Sequence, residues 1–591
     1  MIGTLTLPAT FFCAREIFLV WDRDRQWATW AALASTFILS ITYLHLHYSR
    51  IGLRTITLPL FLALGVGLLV RGIRRDSWPL LALSGLAFGL SIYTYIASRL
   101  APVLLAVPPV ALVPSNKIGW ALRRVAAVAA VWILVSLPLG IYTVRHAAEV
   151  QSHTDDVSIL NPANNHGDPA GAIVHGVLST IGSIDFVGSA GAEQNLPFRP
   201  LLDPLESVFF GTGLVILAVG ACREVASIRS NRLSRESMPT SPAATSRLLI
   251  AGLVVGWILD QALPSALSVN PPGFIRMTGL LPPVAIAVGL GLGSTYRWLR
   301  SRSISPVYVG SFVGVCLAIS SALTIRDYFL VWGPSPEAYH LMMADKVDSA
   351  KYLDGLATRD RVFLAPLWAT DNTVRFFING SGIQSFDLGQ GLVVPTDRSR
   401  DVHYVFPASD DREAPSLARE LNVPVSISTV RDDTGRYSLL TRLDLKAADL
   451  PSPPPTIATF EQNIGLVGAL LDASTATGGS PISFRLEWVG FHVNSEDFTV
   501  FVHLRNATNQ TITQADGQPV GGSFPTSQWR TGDIVWDRRS LTVPASTPAG
   551  RYHLVVGLYR RETLVRLPAQ TRAGRAESDE VVVGEVSVSG S

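Results

Sequence analysis

The sequence predicts a polytopic α-helical membrane bundle that carries an α/β domain and a C-terminal β-sandwich. Three observations carry this prediction. Residues 1–326 alternate between apolar stretches of spanning length and short loops. Every second loop is loaded with arginine, which assigns those loops to the cytoplasm. After residue 327 the composition becomes that of a soluble protein. With 591 residues, 48% hydrophobic and 16% charged, the chain is too long for one domain and too apolar to be wholly soluble.

A hydrocarbon core about 30 Å thick takes roughly 20 apolar residues of helix. Ten segments fit, 1–20, 26–46, 56–71, 78–96, 98–113, 119–143, 204–222, 248–269, 274–294 and 306–326, of which the third and fifth are short. The inner loops then hold Arg23 and Arg25; Arg71, Arg74 and Arg75; Lys117, Arg123 and Arg124; Arg223 through Arg247, including Arg235; and Arg297, Arg300 and Arg302. Net charge is only +2, with the acids concentrated in outer and C-terminal segments, so no nucleic-acid footprint follows. The start, MIGTLTLPATFF, has no basic n-region and does not read as a signal peptide. Counting back from the Arg23/Arg25 loop puts residue 1 outside, so the expectation is an N-terminally truncated chain whose C-terminus is also outside. Cys13, Cys222 and Cys316 lie in or beside spans, which leaves the tail without disulfides or a cysteine metal site. Four lysines against 44 arginines point to a GC-rich, bacterial genome.

Residues 144–203 read as a long outer loop rich in Asn, Gly, Asp and Pro, carrying Asp155, Asp156, Asp168, Asp185 and Glu193. A loop of that length is usually functional. The bundle is therefore bounded as 1–326. An α/β domain follows at 327–447, with a helix at 336–357, strands at RVFLAP, VHYVFPA, VSISTV and YSLLTRL, and helical stretches near 369–378 and 412–420. The proline-rich run ADLPSPPPTI is a stiff linker. Beyond it, 458–591 alternates apolar and polar residues in ISFRLEWV, FTVFVHL, SLTVPA and YHLVVGLY between turn signals, the pattern of a β-sandwich.

The informative residues are arginines that break the sidedness rule. Arg50, Arg54, Arg99 and Arg276 fall at outer helix ends, where a charge beside hydrocarbon is costly and no topology signal needs it. In HYSRIGLR, a helix would put His47, Arg50 and Arg54 on one face, and guanidinium forks suit a phosphate. Snorkelling to lipid headgroups is the plainer alternative. YTYIASRL adds Tyr93, Tyr95 and Arg99, with the tyrosines either a sugar platform or an interfacial belt. In NPPGFIRMTGLLPP the prolines interrupt the helix around Arg276, and interrupted membrane helices line cavities. Arg199 in NLPFRPLLDP joins the basic set. Asp260, inside a span, reads as a partner for one of these arginines. Asp155 and Asp156 are the weak candidates for catalysis or metal binding, since adjacent loop acids are usually just solvated. The glycines of VGLGLGS read as helix packing, and no P-loop, zinc spacing or nucleophile elbow occurs.

HYSRIGLR with TLPLF, then GLAFGLSIYTYIASRLAP, NLPFRPLLDP, NPPGFIRMTGLLP and RDYFLVWGPSPEAYH together resemble bacterial glycosyltransferase family 39 proteins, relatives of the protein mannosyltransferases and of the aminoarabinose transferase that modifies lipid A. The match covers about residues 1–355. It implies a GT-C-like bundle in the bacterial plasma membrane that moves a sugar from a polyprenyl-phosphate donor to a glycan, lipid or protein acceptor outside. It also implies that Arg50, then Arg54, meet the donor phosphate. The family's catalytic acid lies in a first outer loop that this chain lacks, because the opening resembles the family's second helix, so no catalytic base is assigned. No cofactor is expected with certainty, and a divalent metal stays open. Two rival readings are a non-catalytic membrane protein, either a lipid-linked-glycan transporter or a scaffold, and an inactive remnant of the enzyme. A transporter needs a polar path through the whole bilayer, whereas apart from Asp260 the polar residues gather at one face.

Overall fold

The computed structural model describes residues 1–113, 117–191, 196–233, 246–380, 382–461, 463–571 and 578–589. Glu193 and Arg235 lie outside the described residues. The chain forms two compact units, Met1–Leu341 and Met342–Ser591.

In the first unit, α1 (Ile2–Trp21) leads to α2 (Arg25–Ile41), whose N-cap Asp24 accepts the amides of Gln26 and Trp27. The second expected span is not straight. It breaks at Thr42 and continues as α3 (Tyr43–Ile51) at an angle of 57°. Thr42 is extended, and its hydroxyl bonds back to the Ile38 carbonyl at 2.8 Å, one of the recognised ways to interrupt a helix ladder. A short 3-10 turn, Arg54–Ile56, opens α4 (Thr57–Arg75), followed by α5 (Trp78–Ser91), a 3-10 run Ile96–Ala106, α6 (Val107–Ala111) and α7 (Ile118–Arg145).

The expected outer loop is largely helical, as α8 (Ala147–Val157), α9 (Pro162–Asn165) and α10 (Pro169–Asp185). Asn161 and Asp168 cap the last two, each followed by proline at the first helical position, a strong start signal. The Thr180 hydroxyl of α10 meets Ser265 at 3.0 Å, so this helix is docked on the bundle. The bundle continues with α11 (Pro204–Leu233), α12 (Arg247–Ala266), a 3-10 turn Phe274–Leu280 opening α13 (Leu281–Ser301), and α14 (Pro306–Ile325), which ends in a π turn, Arg326–Trp332, before α15 (Pro336–Leu341).

Among the described residues seven helical segments are long and apolar enough to cross a membrane, eight when α2 and α3 count as one bent span. Two shorter apolar helices, Trp78–Ser91 and Ile96–Ala111, complete the ten expected positions. The protein is a multi-pass membrane protein. At the arginine-rich ends the charges are tied down by acids: Arg74 and Arg71 hold the buried Glu16, Arg124 pairs with Asp76, and Arg297 reaches Asp22 at 2.6 Å and Asp24 at 3.3 Å. The VGLGLGS glycines are packing residues, as expected. A Cβ on Gly291 would stand 2.0 Å from the Phe209 carbonyl oxygen, and one on Gly213 would stand 2.0 Å from that of Ala287, so α11 and α13 touch backbone to backbone.

The second unit begins with α16 (Ala344–Ala357), β1 (Arg361–Leu364), α17 (Pro366–Ala369), α18 (Asn372–Ile378), β2 (Gln384–Ser385), β3 (Gly391–Val394), β4 (Val402–Pro407), α19 (Ala414–Leu421), β5 (Ser426–Arg431) and β6 (Ser438–Leu445). Five of these strands form a mixed sheet in the order β2-β1-β4-β6-β5, parallel across β2, β1 and β4 and antiparallel beyond. The remainder is β7 (Ala458–Phe460), β8 (Ile464–Leu471), β9 (Thr475–Thr477), β10 (Pro481–Gly490), β11 (Phe498–Arg505), β12 (Thr511–Gln514), β13 (Ile534–Thr542), β14 (Gly550–Arg560), β15 (Ala569–Thr571) and β16 (Val581–Ser589). These make a sandwich of two sheets, β15-β7-β8-β10-β13-β3 and β12-β11-β14-β16-β9.

Strand β3 crosses between the two halves. It lies in sequence among the α/β elements, yet it pairs antiparallel with β13, with Val394 opposite Ile534 and Gly391 opposite Asp537. All four of its residues are buried, so it covers an edge that would otherwise be open. A bidentate Arg361–Asp533 pair, nearly inaccessible on both sides, also ties β1 to the sandwich, with Nη2 2.7 Å from Oδ2. One hydrophobic core therefore runs from Phe363 and Tyr404 to Trp488 and Trp529.

Candidate functional site

Arg50, Arg54 and Arg276 lie at the ends of α3, α4 and α13 away from the acid-paired loops. The shared helical face expected for His47, Arg50 and Arg54 is corrected. Helix α3 ends at Ile51 on Gly52, which takes a left-handed conformation (φ 69°), and Arg54 starts the next 3-10 turn. His47 and Arg50 remain on α3, but His47 is buried rather than open to a ligand.

Around His47 stands an aromatic box supplied by the π turn that follows α14. Its ring is edge-on to Trp332 at 5.1 Å and to Tyr328 at 6.0 Å, and Nδ1 lies 3.4 Å from the Tyr328 hydroxyl. Tyr328 and Trp332 stack at 5.1 Å. The π turn widens the helix by one residue per turn and so brings Tyr328, Phe329 and Trp332 toward α3. Arg50, exposed, rests its guanidinium 5.1 Å above Phe329 and 5.8 Å from the Tyr328 ring, a cation–π seat.

Arg199 occupies the neighbouring position. Its guanidinium stacks 4.6 Å over Tyr43, donates to the Thr324 hydroxyl at 3.1 Å and lies 3.4 Å from the Asp327 carboxylate. Arg199, Asp327 and Trp332 line an open groove of about 490 Å³ together with Leu196, Phe198 and Glu337. Close by, Asp203 and Glu206 form a buried capping box at the start of α11: the Asp203 carboxylate accepts the Glu206 amide at 3.0 Å and the Glu206 carboxylate accepts the Asp203 amide at 3.1 Å.

Arg54 and Arg276 form the other half of the rim. Both lie in 3-10 turns, and Tyr95 is half-buried at the N-cap of a third, Ile96–Ala106. Their turns are joined by the Thr278 hydroxyl, which reaches the Thr55 carbonyl at 3.4 Å. Arg276 sits in the interrupted segment expected from its prolines, and its guanidinium folds back over Gly273, where Nη1 would be 2.9 Å from a Cβ. Glycine makes that approach open.

The remaining candidates separate from this cluster. Tyr93 donates its hydroxyl to the Val135 carbonyl at 2.8 Å and so anchors α7. Arg99 is exposed. Asp155 and Asp156 are exposed at the end of α8, where their backbone carbonyls accept from Asn161 and Asn164. Asp260 is buried and accepts from the Gln261 amide at 2.7 Å; among the described residues no ion pair joins it to an arginine, contrary to expectation. Nor do three His, Cys, Asp or Glu side chains gather as a metal-ligand group among the described residues.

Sequence reasoning did not single out Asp327, Tyr328 or Trp332. The signal was present in RDYFLVW, where two charges and three aromatics close the last span, but their meeting with His47 spans 281 residues of sequence.

No family model matches the chain, and no curated protein matches it. Among solved structures, the chain is similar to ArnT from Cupriavidus metallidurans bound to undecaprenyl phosphate, at 14% identity over 75% of this chain and 82% of that one, with a TM-score of 0.34. It is also similar to the C-terminal domain of wzt, at 11% identity over 24% of this chain and 81% of that one, with a TM-score of 0.17.

Proposed function

We propose that this protein is a membrane glycosyltransferase of the bacterial plasma membrane, taking a sugar from a polyprenyl-phosphate donor and passing it to an extracytoplasmic glycan, lipid or protein acceptor. The observation that carries this reading is that the turns bearing Arg54 and Arg276, distant in sequence, are joined by the Thr278 hydroxyl on the Thr55 carbonyl. Cations held at the rim of an apolar bundle are expensive unless something anionic meets them. A lipid phosphate supplies that anion and keeps its chain in the bilayer. Breaking a sugar–phosphate bond builds negative charge on the leaving phosphate, and fixed guanidinium groups lower that barrier. Arg50 and Arg199 extend the cationic rim beside the aromatic box.

The family resemblance of HYSRIGLR and NPPGFIRMTGLLP supports the same assignment, because Arg50, Arg54 and Arg276 all fall within those segments. The test is binding of undecaprenyl phosphate to the protein in nanodiscs. Each of Arg54→Ala and Arg276→Ala should weaken binding about tenfold or more, the scale of a lost charge-assisted hydrogen bond, while Arg302→Ala at the opposite end of α13 should not. Wild-type affinity in both rim variants would overturn the reading.

A further inference from the structure

A polar cleft of the second unit lies on the sandwich, and neither the helical rim nor the transfer reaction makes use of it. It encloses about 790 Å³, within the roughly 300–1,000 Å³ typical of small-molecule sites. Its floor is the outer face of β10 and β13, where register sets Ser483 opposite Ser540 and Arg485 opposite Arg538. Two arginines directly across a strand pair repel one another. Glu420 on α19 relieves this by bridging both, 3.3 Å from Arg485 Nη1 and in contact with Arg538.

One wall is rigid by construction. Arg539 bonds the buried Asp537 at 2.8 Å and donates to the carbonyls of Gly517 at 2.9 Å and Gln518 at 3.1 Å, while Asp537 accepts the Val520 amide at 2.9 Å. The loop so pinned presents Asp516 and Gln518 to the cleft, and Gln390 faces it from the segment before β3. A wall fixed before binding spares the ligand the cost of ordering it.

The lining mixes exposed carboxylates (Asp472, Asp516), amides, hydroxyls and guanidinium donors within one hollow. Carboxylates on two sides disfavour an anion, and the arginine floor disfavours a cation. A ligand that satisfies such a lining must offer many groups that both donate and accept hydrogen bonds and carry no net charge. Sugar hydroxyls do this.

We propose that the sandwich cleft binds a neutral oligosaccharide. This assignment does not rest on the transferase reading, and its test uses a separate readout. The full-length protein in nanodiscs is titrated calorimetrically with neutral trisaccharides of glucose, mannose, galactose, arabinose and rhamnose. At least one should bind, and the Asp516→Asn and Asp472→Asn variants, both altered at exposed positions that leave the core intact, should each weaken that binding about tenfold. Absence of heat from every trisaccharide up to millimolar concentration, or equal affinity in wild type and both variants, would overturn it. Undecaprenyl phosphate binding, measured on the same preparation, reports on the rim alone, so either proposal can fail without the other.

Discussion

Helices α7 and α14 of the first unit and the strands of the second bury opposite kinds of residue. In α7 the buried positions are Ala121, Arg124, Val128 and Ser136, whereas Leu134 is 68% and Val144 78% exposed. In α14 they are Val309, Cys316, Ser320 and Thr324, with Val307 and Tyr308 turned outward. The second unit is the reverse: Trp488, Trp529 and Phe524 are fully enclosed, and strand β11 is buried along almost its whole length. The difference identifies the solvent. A helix whose large apolar side chains face out and whose small residues face in gains nothing from expelling water and holds together by close backbone contact, as Gly213 and Gly291 do between α11 and α13. The second unit is held by the ordinary hydrophobic effect.

This contrast can be broken most sharply by deletion of bulk. Trp488→Ala should cost about 3–5 kcal/mol of unfolding free energy in the second unit, while Leu134→Ala in lipid-filled nanodiscs should stay within about 0.5 kcal/mol. Comparable losses at the two sites, read by chemical unfolding, would show that α7 does not face lipid. Of similar size is the effect expected at the Arg361–Asp533 pair. Asp533→Ala leaves a buried guanidinium without its partner, at about 3–5 kcal/mol, and should loosen the α/β sheet and the sandwich together, since the pair joins them. Separate unfolding of the two halves in the wild type would contradict the single core.

A charge sharpens the comparison at smaller cost. Leu134→Arg should raise the insertion free energy by about 2.5–3.5 kcal/mol if that position faces the bilayer centre, whereas Ile427→Arg on the exposed strand β5 should be nearly neutral. Membrane-integration yield distinguishes them.

The mildest effect is set by pH. Burial pushes the Asp444 carboxyl up, but hydrogen bonds from His403 (2.7 Å) and Arg442 (2.9 Å) outweigh it and hold the group below the usual aspartate range. A depressed carboxyl contributes stability above its unfolded value, about 3.9, and loses it as pH falls through the folded value. Thermal unfolding of the second unit should therefore weaken progressively below about pH 4. Asp444→Asn should remove part of that slope, and an unchanged slope would assign the acid sensitivity elsewhere.

Much of this architecture could be read from residues. The apolar runs placed all ten helical positions, and RVFLAP, VHYVFPA, ISFRLEWV and YHLVVGLY became β1, β4, β10 and β14. Local signals were misjudged where composition spoke against them. Residues 144–203 looked like a loop because they are polar, although Asn161–Pro162 and Asp168–Pro169 are helix starts. Gly52 separates Arg50 from Arg54 in the same way: it is a helix stop inside a segment that a periodic reading runs straight through. At the rim, the arginine positions were legible because a charge next to hydrocarbon is conspicuous. Tyr328 and Trp332 were not, since they are ordinary aromatics until the fold brings them to His47.

Local polarity and period already mark which segments are lipid-compatible, which loops carry the compensating arginines and where the tail alternates. Packing alone sets Glu16 against Arg71 and Arg74, carries β3 away from its neighbours to cover β13, and joins the Arg54 and Arg276 turns through Thr278 and Thr55. Each of these is a pairing between distant residues. Its energy depends on burial and on the absence of better partners, quantities that no stretch of chain possesses until the rest has packed around it.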